Sequence, residues 1–162
     1  MGAEDSFALA EGAATVVVES YDNARRRGAT VYAEVLGHAA VSDALGVGRT
    51  DPRGAAMERA MRAAIESAGV ADSDIAQVWT NETGLRAVDV PERIALRRLF
   101  GDGGPQRIAA KRALGEQIGV GGLLNAALAA FHPGRTSGGA VLVNSSSLGG
   151  THFSIVLAPV AS

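Results

Sequence analysis

The chain has 162 residues, 47% of them hydrophobic, a formal net charge of -2 and no cysteine. Its length suits one domain that buries roughly 70% of its unfolded surface, and the lack of cysteine excludes disulfides, thiolate zinc sites and any cysteine nucleophile from this chain. The basic residues fall in short groups (Arg25 to Arg27; Arg97 with Arg98) and aromatics make up only 4% of the sequence, so nucleic acid is not an expected partner. No apolar run approaches 18 residues without glycine or polar breaks, and the acidic N-terminus lacks the charged-then-apolar order of a signal peptide. No membrane span is expected, and the expected location is the cytoplasm.

In chain order, the β-branched run Ala13 to Glu19 predicts a buried strand. Ser20 to Arg27 predicts a short basic helix closed by Gly28, and Thr30 to Ala40 a second strand by alternation. After a glycine-containing loop, Asp51 as N-cap with Pro52 at the first position predicts a helix to Ser67. Its apolar Ala56, Met57, Ala60, Met61, Ala64, Ile65 and Ala68 recur at helical spacing before Gly69 ends it. Asp72 to Asp74 reads as a turn, Ile75 to Thr80 as a strand ending in polar Asn81 to Gly84, and Pro91 to Phe100 as a helix stopped by Gly101. A brief strand at Arg107 to Ala110 leads into an apolar helix, and two strands follow, Ala140 to Ser145 and His152 to Pro159.

From Thr30 onward the order is βαβαβαββ, which predicts an α/β domain with a largely parallel sheet and sites just past the strand C-termini. Between Leu123 and Phe131 only Asn125 is polar, so this helix is expected to be buried nearly all round. Gly115, Gly119, Gly121 and Gly122 ahead of it each cost up to about 1 kcal/mol in a helix interior, which suggests close backbone contact or the lip of a site. Gly119 to Gly122 lack the following Gly-Lys-Ser/Thr of a phosphate loop. His38, His132 and His152 sit in separate segments without ligand spacing, so neither a metal nor another cofactor is expected. Glu82 and Glu116 are carboxylates near turns; they form an acid/base couple on one reading and are solvated on the other.

Several segments together resemble the C-terminal half of a β-ketoacyl synthase, of the thiolase superfamily, including its catalytically silent relative the chain length factor. They are Phe7 to Ala13 (FALAEGA), Val31 to Gly37 (VYAEVLG), Asp51 to Met57 (DPRGAAM), Asp89 with Glu92, Lys111 to Gly115 (KRALG), Val141 to Ser145 (VLVNS) and Leu148 to Thr151 (LGGT). The resemblance implies a thiolase-like half: a five-stranded mixed sheet with helices on both faces over residues 30–162. Residues 1–29 would be a remnant of the last strand and helix of the N-terminal half. It also implies a buried ion pair between Lys111 and Glu92.

The departures fall on the chemistry. The family's cysteine lies in its N-terminal half. Its first histidine belongs to a His-Gly-Thr-Gly-Thr turn, where this chain has Asn81-Glu-Thr-Gly-Leu85. Its second follows the lysine motif, where this chain has Glu116. Asparagine can donate a hydrogen bond but cannot take up and release a proton at neutral pH, and a carboxylate would repel a developing enolate. The family's Asn-Ser-Phe-Gly-Phe-Gly-Gly stands here as Asn144 to Gly150 (NSSSLGG), with Ser146 in place of a bulky ring, and only His132 to Gly139 remains of a long segment that walls the acyl pocket. Ser146, Leu148, Gly149 and Gly150 are the acyl-pocket candidates.

The resemblance with these departures implies a non-catalytic, truncated, chain-length-factor-like partner subunit in polyketide or fatty-acid biosynthesis. The alternative is half of a split synthase whose partner supplies the cysteine, with Asn81 and Lys111 keeping a reduced acyl-transfer role. A self-paired dimer that imitates the two-halved fold is a third reading. Expected partners are a ketosynthase or N-terminal-half homologue, an acyl carrier protein, or a second copy.

Overall fold

A computed structural model describes residues 7–132 and 138–160. They form α1 (Tyr21–Arg26), β1 (Glu34–Ser42), α2 (Ala55–Ala68), β2 (Ile75–Trp79), α3 (Arg86–Phe100), β3 (Gln106–Ile108), α4 (Ala110–Leu114), α5 (Gly121–Phe131), β4 (Ala140–Ser146) and β5 (Thr151–Ala158). The strands make one five-stranded sheet in the order β1-β5-β4-β2-β3. β2 runs parallel to both β3 and β4, whereas β5 is antiparallel to β1 and β4, so the sheet is mixed and not largely parallel. The short turn at Ser147 to Gly150 allows only a hairpin between β4 and β5, which sets that half of the sheet antiparallel.

Alternation along the strands divides the core into two layers. Val78, Leu142 and Val156 face α2 and α3, meeting Met57, Met61, Ala64 and Ile65 of the first and Ala95, Leu96 and Leu99 of the second. Trp79, Val141, Val143 and Leu157 face the other way, against Ala126, Leu128 and Ala129 of α5. Each fully buried side chain such as Met61 or Leu96 contributes about 1.5–3 kcal/mol. Covered on both faces, β4 reads as a continuous apolar run, and residues Ala140 to Asn144 are all buried.

Several boundaries differ from those expected from the sequence. Ala13 to Glu19 forms no strand: a β-branched run becomes one only when a neighbour meets its backbone groups, and nothing among the described residues does so. Val17 and Val18 are each 79% exposed. The preceding arm is anchored, with the Ala10 N–H donating to the Glu116 carbonyl at 3.0 Å and the Glu116 N–H to that of Ala8 at 2.8 Å. The strand expected from Thr30 begins at Glu34.

The helix expected at Asp51 begins four residues later. Asp51 Oδ1 accepts the Arg53 N–H at 3.1 Å and the Asp51 carbonyl accepts the Gly54 N–H at 2.8 Å, so Asp51-Pro52 makes a turn, and Gly54 caps α2 from a left-handed conformation, φ 65°. α3 starts at Arg86, which leaves Pro91 inside it. The hydrogen bond lost at Pro91 is offset by the buried Asp89 carboxylate, which accepts the N–H groups of Thr83 and Gly84 at 2.9 and 2.8 Å and ties the preceding loop to the helix.

α5 is not buried all round. Gly121, Asn125 and Ala129, four residues apart, form its buried stripe, while Leu123 and Phe131 are exposed. Phe131 rests on Tyr32, with ring centroids 4.4 Å apart. Three of the four glycines meet close neighbours: a Cβ would lie 2.7 Å from Ala10 Cβ at Gly115, 2.7 Å from Lys111 Cε at Gly121 and 2.5 Å from Ser145 Oγ at Gly122. At Gly119 it would meet nothing; φ of 92° explains that glycine instead. Among the described residues no helix is long and apolar enough to cross a membrane.

Candidate functional site

The C-terminal ends of the parallel neighbours β2 and β4 lie side by side, and the polar residues that follow or end them converge. Asn81 is the hub. Its side-chain oxygen accepts from Lys111 Nζ at 2.7 Å and from the Ser146 N–H at 3.2 Å. Both partners are donors, which fixes the amide orientation. Lys111, buried in α4, also pairs with Glu116 Oε2 at 2.9 Å. α5 begins over this cluster, held by its one polar side chain: Asn125 Nδ2 donates to the Thr80 carbonyl at 3.0 Å.

Beneath Asn81 lies a buried carboxyl. The Asn81 N–H donates to both oxygens of Glu92, at 3.0 and 2.9 Å, and Asn144 Nδ2 donates to one of them at 3.0 Å. Burial pushes the Glu92 carboxyl up to about 7; the donated hydrogen bonds oppose this, and the charges of Glu82 and Asp89 add to it. Asn144 is held in turn by Ser154, whose Oγ donates to its Oδ1 at 2.9 Å. Ser154→Ala would strand that oxygen in the core, and chemical denaturation should show a loss of about 1–3 kcal/mol. An unchanged midpoint would mean that a water replaces the hydroxyl.

A second chain of bonds starts at Ser146. Its Oγ lies 2.9 Å from His152 Nδ1, and His152 Nε2 lies 3.3 Å from Asp43 Oδ2. Ser146 and His152 are cross-strand partners on β4 and β5, and Asp43 follows the end of β1, the strand on the far side of β5. His152 and Asp43 are almost wholly buried, whereas Ser146 is half-buried. Asp43 also accepts the N–H groups of Leu45 and Asp51, at 3.3 and 3.2 Å. Burial raises the Asp43 carboxyl, but these two donors and the His152 ring together outweigh it and hold the group below the usual carboxylate range.

The structure thus gathers Asn81, Lys111, Glu116 and Ser146, with Glu92 directly below. The expected ion pair between Lys111 and Glu92 does not form: Lys111 turns to Glu116 and Asn81, and the backbone of Asn81 takes Glu92. Glu82 and Glu116 are neither a couple nor freely solvated. Glu82 is buried against Arg93 at 2.9 Å, apart from the Lys111 pair. Leu148 and Gly149 of the acyl-pocket set stand on an exposed turn, and Gly150 is buried so close to Asp43 that a Cβ would lie 2.3 Å from its Oδ1. Sequence reasoning missed Asp43 and the role of His152. The signal available was slight: a histidine six residues after Ser146, across a turn rich in glycine.

The model of the β-ketoacyl synthase C-terminal domain matches residues 32–132. The chain belongs to this family. A curated relative, the 3-oxoacyl-(acyl-carrier-protein) synthase 2 of Mycobacterium tuberculosis, is 33% identical over 124 residues, covering 76% of this chain and 30% of its own length. The ketosynthase-type fold is equally plain among solved structures. One is a chain from a type II polyketide synthase acyl-carrier protein in complex with its ketosynthase bound to the hexaketide, with a TM-score of 0.89 at 22% identity over 97% of this chain and 46% of that one. Another, the ishigamide ketosynthase/chain length factor, gives 0.80 at 25% identity over 88% and 42%. The chain therefore spans about a third of the length of its curated relative and under half of these solved chains.

Proposed function

We propose that this chain is a ketosynthase-like partner subunit in polyketide or fatty-acid assembly that does not condense acyl units by itself. The observation that carries this reading is the Asn81 hub. Where the family's condensing enzymes use two imidazoles, this chain has an amide that cannot shuttle a proton and a carboxylate, and Lys111 beside them is neutralised by Glu116 and hydrogen-bonded to Asn81. Residues 1–29 are read as the remnant of an N-terminal half, and residues 30–162 as the domain proper.

Exposed apolar groups support a partner. Val16, Val17 and Val18 are exposed outside any strand or helix, and Leu123 and Phe131 are exposed along α5 with Leu124 and Leu128 half-covered beside them. Apolar patches beyond a few hundred Å² usually mark interfaces. A ketosynthase, an N-terminal-half homologue or a second copy would cover these groups, and an acyl carrier protein would deliver the acyl chain.

Light scattering of the purified chain, alone and mixed with a ketosynthase, is expected to show a dimer or a hetero-oligomer. The chain alone is expected not to decarboxylate a malonyl-carrier substrate, and Asn81→His with Glu116→His is not expected to create condensation without a cysteine-bearing partner. A stable monomer under every condition would count against the partner role. Saturable decarboxylation of the malonyl-carrier substrate by the wild-type chain, read as release of carbon dioxide, would replace it with the split-synthase reading.

A further inference from the structure

The geometry points to a function outside condensation: we propose that Ser146, His152 and Asp43 form a hydrolytic relay in which Ser146 takes the acyl group from a thioester and passes it to water. The thioester assignment rests on the proposed function above, whereas the nucleophile itself does not.

The relay follows from the bonds already described. An ionised carboxylate can only accept, so Asp43 Oδ2 fixes the ring proton of His152 on Nε2. Nδ1 is then left with a lone pair, and that lone pair faces the Ser146 hydroxyl at 2.9 Å. Nucleophile, base and orienting carboxylate thus stand in the required sequence, with the base within hydrogen-bond reach of the proton it must take. The Ser146 end is the half-buried one and the Asp43 end is sealed, so a substrate approaches from the nucleophile's side. A donor of the kind that stabilises oxyanion charge stands next to it. The Asn81 side-chain oxygen takes Lys111 Nζ and the Ser146 N–H, which makes its Nδ2 the donor end of the amide.

The chemistry balances without a cofactor. Ser146 Oγ attacks the thioester carbonyl carbon while its proton passes to His152 Nδ1. The C–S bond then breaks, and the departing sulfur takes that proton to leave as a thiol, with the acyl group held as an ester on Ser146. Water attacks the ester, gives its proton to His152 Nδ1, and the proton returns to Ser146 Oγ as the carboxylic acid departs. A group with this activity beside a carrier-bound chain would remove acyl groups that the assembly does not extend.

The test uses the full chain and two probes. A fluorophosphonate, which labels activated serines irrespective of substrate, is followed by intact mass and peptide mapping. Hydrolysis of an acyl-N-acetylcysteamine thioester is followed by release of thiol, with a p-nitrophenyl ester as the sulfur-free comparison. The wild type is expected to be labelled at Ser146, and Ser146→Ala to lose the label. Thioester turnover should fall by on the order of 10²–10⁴ in Ser146→Ala and in His152→Gln. Asp43 is a positioning residue, so Asp43→Asn should lower kcat with KM unchanged; a purely structural role would move the melting temperature without that split. If Asp43→Asn or His152→Gln fails to fold, the half-buried Ser146→Ala still decides.

An unlabelled Ser146, with turnover no greater than that of Ser146→Ala, overturns the relay and leaves the partner reading untouched. Label on Ser146 with cleavage of the ester but not the thioester overturns the substrate class, and it counts against the partner reading as well.

Discussion

Replacing Gly54 by alanine should destabilise the protein by about 2–5 kcal/mol, measured as a shift in the urea midpoint at constant slope. Two costs combine. The residue sits at φ 65°, where an added Cβ costs about 1–2 kcal/mol. That Cβ would also lie 2.1 Å from the Pro91 carbonyl oxygen and 2.9 Å from its carbon, backbone atoms that cannot swing aside, and overpacking of this kind costs about 1–3 kcal/mol. Relief would require α3 to move away from the start of α2. Because Glu92 follows Pro91 directly, that movement would also disturb the carboxyl under Asn81. A loss under about 0.5 kcal/mol would show that the two helices are not tightly docked at this point.

The stability of the wild type is expected to fall between about pH 5 and pH 8. In the native state burial holds the Glu92 carboxyl at about 7, well above its ordinary value of 4.5. The folded chain therefore keeps a proton that the unfolded chain releases. The associated stability is fully present below the unfolded value and is lost as pH rises through the folded one. A shift of this size corresponds to about 3 kcal/mol. Asp43 shifts the opposite way, below its ordinary 3.8, so its contribution is complete before this window opens. Urea unfolding across the range should show the decline in the wild type and a flatter profile in Glu92→Gln, which has no proton to lose. Equal slopes in the two proteins would locate the titrating group elsewhere.

How far each feature was legible depends on the distance over which its cause acts. The α2 stripe from Ala56 to Ile65, the Gly69 and Gly101 stops and the strands at Ile75, Ala140 and His152 are written in local spacing, and they stand close to where the sequence puts them. The helices start elsewhere than the sequence predicts because Asp51-Pro52 and Pro91 carry strong local signals that tertiary contacts override. A turn closed by Gly54 overrides the first, and the Asp89 carboxylate reaching back to Thr83 and Gly84 overrides the second.

The motifs at Lys111, Asn81, Glu116 and Asn144 marked which segments build the site, and the resemblance they carry agrees with the family. They did not reveal which side chain would meet which. Lys111 had two carboxylates and an amide to choose from, separated along the chain by up to 30 residues, and only the packing of α4 under α5 sends it to Glu116 and Asn81.

By itself, the sequence determined the alternation of strands and helices from β1 onward, although not the separate short helix α4, and the lack of a thiol, because composition and short-range periodicity act within a few residues. Tertiary structure alone decided that Ala13 to Glu19 finds no strand partner among the described residues and that α5 buries one stripe and leaves Leu123 bare. It also decided that Asp43, 109 residues from His152, completes the bonds running from Ser146. Burial, strand pairing and a directed hydrogen bond all depend on what lies on the other side, and that is fixed only when the β1, β4 and β5 ends are laid next to one another.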